Sequence, residues 1–449
     1  MNIIIVGAGN VGFTSAETLS AFHNIMMIEL DAAKADSVKN LLNVSVLNEN
    51  GTNPRVLENA IDKHGAEIVI STLPSDEQNL FISIVCKKYR PSIRTIATVK
   101  DPDYMVKTTA EGEPGVDMII SPEIITSNKI FKLSTLENLV DYEGIKTLGL
   151  AIATFGVDSG HEIVGKTVMN LDMPEECNIV SLYRGDDVII DVETAEIRPD
   201  DRITVIGSDK GIENFNKMMG VKKEALEFVI LGAGIVGMSV AKALSSMNKK
   251  VYIKIIEEDT ELCRQASRIL TNAIVVNSDT IDPHILKMEN VRRADVLISV
   301  TDADEKNLLA CMAALKFGTN KVISRYLTRE YEDIFKFTGI DTIIGYHLII
   351  ANEITKGLIS DGDSVMRMKN SNEFFQITTV DKFSPIYGAL LGDLVIPDGV
   401  RFAAIVRGNR TIYPKYDTRF EDGDRVLLFT YMAKSSELRK LLGKKVPEM

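Results

Sequence analysis

Short apolar runs alternate with stretches whose apolar positions recur every three or four residues, and the alternation begins at the first residues of the chain. Residues 2–6 (NIIIV), 25–30 (IMMIEL), 67–73 (EIVISTL) and 94–99 (RTIATV) read as buried strands. Between them, 11–22, 32–43, 54–63 and 76–89 carry the helical period. Strands and helices in turn predict βαβ units and a doubly wound parallel sheet. After residue 138 the texture changes. EIVGKTVMNLDMP, NIVSLYRGDDVIID and DRITVIG are short strands broken by RGD and PDD turn signals, and a short helix near 209–219 follows them.

The whole pattern then repeats. IIIVGAGNVG at 3–12 returns as FVILGAGIVG at 228–237, and DEQNL at 76–80 returns as DEKNL at 304–308. Gly165, Pro174, Arg184, Gly185, Asp201 and Arg202 return as Gly388, Pro397, Arg407, Gly408, Asp424 and Arg425, every pair 223 residues apart. The chain is a tandem duplication. The fold class expected is α/β: two Rossmann-like lobes with doubly wound parallel sheets, each followed by a small α+β lobe. The expected boundaries are 1–138, 139–220, 225–365 and 366–449. The patterns at 121–138 and 345–361 predict helices that cross to the neighbouring lobe, and two such folds side by side predict a pseudo-twofold platform.

Each GxGxxG follows a predicted strand and opens a predicted helix. In that setting Gly7 makes the tight turn, Gly9 lets the backbone approach a pyrophosphate, and Gly12 lets helix and strand pack closely. The helix N-terminus offers unpaired N–H groups and positive dipole to the anion. Glu29 lies 20 residues after Gly9, and Glu257 lies 23 residues after Gly234. An acid there accepts hydrogen bonds from ribose hydroxyls and repels a 2′-phosphate, favouring NAD(H) or an adenine nucleotide over NADP. The strand-four ends, Leu73-Pro74 and Thr301-Asp302, belong to the same crevice. DEQN and DEKN read as helix-starting acids. Thr98 on strand five stands where the second copy has Arg325, an arginine suited to clamping phosphate, with Lys100 a partial substitute. The two sites are therefore expected to differ in affinity or ligand.

Composition narrows the function. The chain has 449 residues, 45% hydrophobic and 25% charged, values of an ordinary globular protein. Its net charge of −12 argues against nucleic acid and against an anionic membrane as direct partners. The longest uncharged apolar stretch, Phe228 to Ala241, contains three glycines and falls short of the ~18–20 residues that span a bilayer. The N-terminus lacks the basic region and cleavage site of a signal peptide. Cys86, Cys177, Cys263 and Cys311 form no CxxC pair and read as core residues in a reducing cytoplasm. The five histidines show no metal-ligand spacing and do not recur between the copies, so they read as surface or cap residues, and neither a metal site nor catalytic residues are expected. An NAD-dependent oxidoreductase is the alternative reading, but no acid/base constellation supports it. Duplicated nucleotide folds without catalytic groups have the physics of a ligand-biased switch.

With these residues the chain resembles the regulator-of-potassium-conductance (RCK, or KTN) family, in its tandem form as the regulatory subunit of Trk-type potassium uptake systems. The resemblance spans nearly the whole chain. It is carried by GAGNVG with Glu29, NGTNP at 50–54, VKDPDY at 99–104, and EIVGKTVMNL with NIVSLYRGD. In the second copy it is carried by GAGIVG, DTIDP at 279–283, VTDADEKNLLAC at 300–311 and Arg325. It implies N-lobes and C-lobes, and NAD(H), ATP or ADP at the glycine loops, possibly a different ligand at each. The binding residues implied in the first copy are Gly7, Ala8, Gly9, Asn10, Val11, Gly12, Glu29, Asn50, Leu73, Pro74 and Thr98. In the second they are Gly232, Ala233, Gly234, Ile235, Val236, Gly237, Glu257, Asp279, Thr280, Thr301, Asp302 and Arg325. It also implies a Trk-type potassium-translocating membrane subunit as partner, a homo-oligomeric ring, commonly of four tandem chains, and a cytoplasmic protein held peripherally at the membrane. Two departures stand out. The strand-five arginine is missing at Thr98, and Leu73-Pro74 removes polar groups from the first crevice.

Overall fold

The computed structural model describes residues 1–20, 23–104, 115–220, 225–247, 250–340, 342–358, 364–367, 373–431 and 435–443. In the first half β1 (Asn2–Val6), β2 (Asn24–Glu29), β3 (Ser45–Asn48), β4 (Ile68–Ser71), β5 (Arg94–Thr98) and β6 (Met118–Ile120) form one parallel sheet in the order 3-2-1-4-5-6. This is the doubly wound order, and strand order reverses between β1 and β4, where such folds open a ligand crevice. Ile3, Ile4 and Ile5 are all wholly buried, which is why β1 reads as a continuous apolar run. β3 is an edge strand with no fully buried residue, so no such run marks it in the sequence. The helices Asn10–Ser20, Ala32–Leu41, Pro54–His64 and Asp76–Tyr89 lie where the periodicity places them, and the expected end of the first, 21–22, lies outside the described residues.

β7 (Leu139–Ile145), β8 (Leu150–Gly156), β9 (Cys177–Arg184), β10 (Asp187–Ile189) and β11 (Arg202–Gly207) form an antiparallel sheet in the order 10-9-11-8-7, followed by the helix Asp209–Met219. The second half repeats both sheets. β12 (Glu227–Leu231), β13 (Tyr252–Glu257), β14 (Ala273–Asn277), β15 (Val296–Ser299), β16 (Lys321–Tyr326) and β17 (Thr342–Gly345) are parallel in the order 14-13-12-15-16-17. β18 (Ser364–Arg367), β19 (Glu373–Thr379), β20 (Val400–Arg407), β21 (Arg410–Ile412) and β22 (Arg425–Tyr431) follow in the order 18-19-22-20-21, with a closing helix Ser435–Leu442. Residues 359–361 of the second expected crossing helix and the chain end at 444–449 lie outside the described residues.

The contacts divide the chain by kind of lobe, not by half. One unit joins Met1–Thr135 with Ala225–Ile354, and the other joins Leu136–Glu224 with Thr355–Met449. Within the first unit, the helix Pro122–Thr135 crosses from its own sheet to lie on the helix Ile235–Ser245 of the second copy. The guanidinium of Arg329 stands 4.7 Å from the centre of the Phe13 ring and pairs with Glu17 at 3.0 Å.

Within the second unit the two small sheets share one apolar cluster, with Ile152, Val180 and Ile206 packed among Phe375, Leu427 and Phe429. Buried polar contacts pass between the copies, two of them among the described residues as follows. The Tyr183 hydroxyl donates to Glu373 Oε2 at 2.9 Å, and Lys356 Nζ reaches Glu143 Oε1 at 2.8 Å. Each small lobe also carries the same bidentate clasp. Arg184 holds Asp201 at 2.9 and 2.8 Å, and Arg407 holds Asp424 at 2.7 and 2.9 Å. Asp201 and Asp424 are buried, and each also accepts a backbone N–H, from Arg198 and Glu421. These pairs are why arginine and aspartate recur at one offset in the sequence.

The histidines correct one expectation. His64 closes its helix as expected, but His161 and His347 are buried. His347 meets the Tyr326 ring edge-on at 5.6 Å, and burial holds its pKa below the ordinary value. His23 is lowered from 6.5 to about 4, first by burial and then by the N-terminal ammonium, against the opposing pull of Glu67. The sign follows from linkage. The folded state prefers neutral His23, so its contribution is intact above the unfolded pKa of 6.5 and is lost as pH falls toward about 4. Urea unfolding midpoints measured from pH 7 to 4 are expected to fall less steeply for His23→Asn than for the unmodified chain.

Candidate functional site

The geometry divides the work among the loop glycines. Gly7 and Gly232 turn the chain out of β1 and β12 with φ of +101° and +102°, a region open to glycine at little cost. A Cβ on Gly12 would lie 1.9 Å from the Gly7 carbonyl oxygen, and one on Gly237 would lie 2.0 Å from that of Gly232. Only glycine lets each helix seat on its turn. Gly9 and Gly234 have nothing within 4 Å of a Cβ position, so the backbone there faces open space. No side chain caps the helix that starts at Ile235.

The acids at the ends of β2 and β13 hold these loops. Ala8 N–H donates to Glu29 Oε2 at 2.5 Å and Asp31 N–H to Oε1 at 2.8 Å. Ala233 N–H donates to Glu257 Oε2 at 2.6 Å and Asp259 N–H to Oε1 at 2.8 Å. A carboxylate has about four acceptor positions, so each retains capacity for further donors.

A second pair of clasps shapes the β4 and β5 side. Asn79 is buried in its helix. It accepts from Leu73 N–H at 2.8 Å and donates to the carbonyls of Leu73 and Thr98, both at 2.9 Å. Asn307 does the same between Thr301 and Arg325. Asp76 accepts the N–H groups of Lys100 and Asp101, and Asp304 those of Leu327 and Thr328. These acids therefore do more than start helices: they fix the chain leaving β5 and β16. Sequence reasoning missed this role, although both residues recur within DEQNL and DEKNL, and that recurrence was the available signal.

Both glycine loops border a single cavity of about 560 Å³. Gly9, Asn10 and Val11 line it from one copy, and Gly234, Ile235 and Val236 from the other. Leu73, Pro74, Thr98, Asp302 and Arg325 also line it. Asn10 bridges the copies, donating to the Leu327 carbonyl at 3.2 Å. Arg325 is buried. It donates to the carbonyls of Val300 and Thr301 and pairs with Asp302 at 2.8 Å, while its Nε has no partner among the described residues. The other expected residues stand back from the cavity. Gly7, Ala8, Gly12, Gly232, Ala233 and Gly237 build the turns, and Glu29 and Glu257 hold them. Thr301 is bonded to Asn307. Asn50 and Asp279 accept local N–H groups in the loops after β3 and β14, and Thr280 is buried beside Asp279.

Glu123 and Tyr346 are cavity residues that sequence reasoning missed. Each comes from a different copy, so no local pattern joins them. The Tyr346 hydroxyl donates to Glu123 Oε1 at 2.9 Å, while Oε2 is buried without a partner among the described residues. Burial raises the Glu123 pKa, and the Tyr346 hydrogen bond opposes the rise. None of the five histidines lines the cavity. The arrangement suits a ligand with anionic and hydroxyl groups: backbone N–H at two helix starts, one buried guanidinium, and two acids placed beside the loops.

Residues 3–122 and 228–345 match the TrkA-N domain, and residues 152–220 and 377–443 match the TrkA-C domain. The chain belongs to the TrkA family. Among TrkA relatives, the "Trk system potassium uptake protein TrkA homolog 1" of Methanosarcina mazei is 29% identical, covering 98% of this chain and 99% of its own. Among solved structures, the "GsuK RCK domain" superposes with a TM-score of 0.62 at 17% identity, over 96% of this chain and 92% of that one. The "GsuK channel bound to NAD" gives 0.63 at 18% identity, over 99% and 78%. At these identities the structural likeness establishes the RCK fold. Among the described residues of this TrkA-family chain, no helix is long and apolar enough to cross a membrane.

Proposed function

We propose that this chain is the nucleotide-sensing regulatory subunit of a Trk-type potassium uptake system. It is a cytoplasmic protein held at the membrane by a potassium-translocating partner, and it forms a ring of four chains. The observation that carries this reading is the shared cavity: two glycine loops, each tied to its own acid, face one space between two copies of a nucleotide-binding fold. A ligand seated on either loop, its ribose toward that loop's acid, reaches the shared space and so touches the other copy, and occupancy biases the angle between the copies, which is what a gating subunit requires. The name of the Methanosarcina relative supports the potassium system, and the NAD named with the GsuK channel supports a nicotinamide dinucleotide as one ligand. ATP and ADP remain ligands of the same proposal. The residues proposed to bind are the loop glycines and the residues between them, Glu29 and Glu257 toward ribose, and Arg325 toward phosphate. Asn50, Asp279 and Thr280 are proposed on the adenosine side.

Calorimetric titration with NADH, NAD, ATP and ADP tests it. Glu29→Gln and Glu257→Gln are each expected to weaken a different binding step by about tenfold to a hundredfold, the loss of a hydrogen bond to a charged acceptor. No binding of any of the four ligands, with no nucleotide response of potassium flux when the chain is reconstituted with a Trk-type membrane subunit, overturns the reading.

A further inference from the structure

Two buried atoms of the shared cavity are left unused by the protein. Glu123 is 8% exposed and Arg325 4% exposed, and both line the cavity. Glu123 Oε1 takes the Tyr346 hydroxyl, but Oε2 has no partner among the described residues. Arg325 Nη2 is held by the carbonyls of Val300 and Thr301 and by Asp302, but Nε has no partner among them either. A buried polar atom without a partner costs free energy, so each marks a place where a ligand atom belongs. One is an acceptor from the first copy and the other a donor from the second. The charges of Arg325 and Lys100 act on Glu123 and favour its ionised, acceptor-only form against the pull of burial.

The duplication has lost its symmetry at this point. Arg325 stands where the first copy has Thr98, whose hydroxyl donates to the Ser71 carbonyl at 3.2 Å. The helices Pro122–Thr135 and Tyr346–Gly357 begin at matching points, so Tyr346 stands where the first copy has Pro122, and Glu123 where the second has His347, which does not line the cavity. For a dinucleotide on the first loop, Glu29 at the end of β2 sets the adenosine side. The other half then runs across the switch point, over the ends of β4, β5 and β6. Leu73, Pro74 and the small Thr98 line the cavity there, a surface suited to a flat ring, with Glu123 just beyond β6. In the second crevice Asp302 and Arg325 occupy the matching positions.

We propose that Glu123 selects a nicotinamide dinucleotide on the first loop: its Oε2 accepts the amide N–H of the nicotinamide carboxamide, while Arg325 Nε–H, from the other copy, donates to the carboxamide oxygen. Tyr346 is a positioning residue that holds the Glu123 carboxylate by its other oxygen. A primary carboxamide is neutral and offers donor and acceptor side by side, the complement of the two free atoms. A terminal phosphate brings acceptors, so it satisfies Arg325 but leaves Oε2 without a donor. Arg325 Nη1 remains for the phosphate of a ligand on the second loop. The carboxamide joins Glu123 of one copy to Arg325 of the other, so this end of the ligand couples the copies. The inference rests on the nucleotide-sensing reading above and names the ligand class of the first site and the atoms that choose it.

Calorimetry on the full chain with NAD and its acetylpyridine analogue decides it. In the analogue a methyl group replaces the amide nitrogen of the carboxamide and the carbonyl stays. The unmodified chain is expected to bind NAD about tenfold to a hundredfold more tightly than the analogue, the loss of a hydrogen bond to a buried charged acceptor. Glu123→Ala is expected to bring the two affinities within about twofold of each other, and Tyr346→Phe to shrink the preference part of the way. The ratio is taken within one chain, so a general loss of affinity cancels. The binding step that shows the preference is expected to be the one Glu29→Gln weakens. Equal affinities in the unmodified chain, a preference that survives Glu123→Ala, or a preference confined to the step that Glu257→Gln weakens overturns the proposal. ADP-ribose, which lacks the nicotinamide, separates the failures. If ADP-ribose and NAD bind and the analogue binds as well as NAD, the carboxamide contact alone falls. If none of the three binds, nucleotide sensing falls and this inference falls with it.

Discussion

Gly12→Ala is expected to cost about 3 kcal/mol or more of folding stability, while Gly9→Ala leaves stability close to that of the unmodified chain and weakens nucleotide binding. The two glycines are three residues apart in one loop, yet their surroundings are opposite. The Cβ at position 12 meets the Gly7 carbonyl oxygen at 1.9 Å and Thr72 Oγ1 at 2.7 Å. A carbonyl in a turn cannot swing aside as a side chain can, so the helix Asn10–Ser20 must lift from β1. At Gly9 the added methyl meets no protein atom within 4 Å and occupies only the space the ligand would fill. Gly237→Ala and Gly234→Ala are expected to repeat the contrast in the second copy, where the close approach is 2.0 Å. Urea denaturation reads the first effect and calorimetry the second. Equal losses of stability at Gly9 and Gly12 would show that the loop is not built this way.

Arg407→Ala is expected to destabilise the second unit by about 3 kcal/mol, because it strips a buried carboxylate of its charge partner. Asp424 has no exposed surface, and its two oxygens take Nε and Nη2 of Arg407 together with the Glu421 N–H. The backbone bond alone does not replace the guanidinium in so dry a site. Arg407→Lys is expected to recover only part of the loss, since an ammonium cannot make the two parallel bonds. Arg184→Ala is expected to act alike through Asp201, and both are read as shifts in the urea midpoint at pH 7. A surface ion pair such as Lys39–Asp36, exposed at both ends, gives the scale for comparison, at most about 1 kcal/mol.

Much of this protein was legible in its sequence. β1 is unbroken apolar sequence because both faces of a central parallel strand are covered, and the duplication let the second copy be read from the first; the small lobe was read less well, since EIVGKTVMNLDMP, expected as a strand, is a turn and a short 3-10 helix at Val168–Asn170, and β7 and β8 were not located. Local chemistry was legible for the same reason. A turn needing positive φ at Gly7, a helix seated on that turn at Gly12, and an acid 20 residues after Gly9 are short-range requirements, and short-range requirements leave spacings. The edge strand β3 was not located, since a half-exposed strand of four residues has neither a run nor a period.

Tertiary structure alone decided how the copies meet. The chain reads as lobe, small lobe, lobe, small lobe, but its contacts sort like with like, so that the two glycine loops border one cavity and the two small sheets share one core. Tyr346 with Glu123, Asn10 with Leu327, and Tyr183 with Glu373 join residues 190 to 317 positions apart. No local pattern announces such a pair, because neither residue constrains its sequence neighbours. Periodicity records which face of an element is covered; it does not record by what. The burial of His347 and the bond between Lys356 and Glu143 belong to the same class. The sequence determined the elements, the repeat and the chemistry of each loop, because those are set by backbone geometry within a few residues. The packing of one copy against the other decided where that chemistry faces, because it depends on surfaces that exist only once both copies have folded.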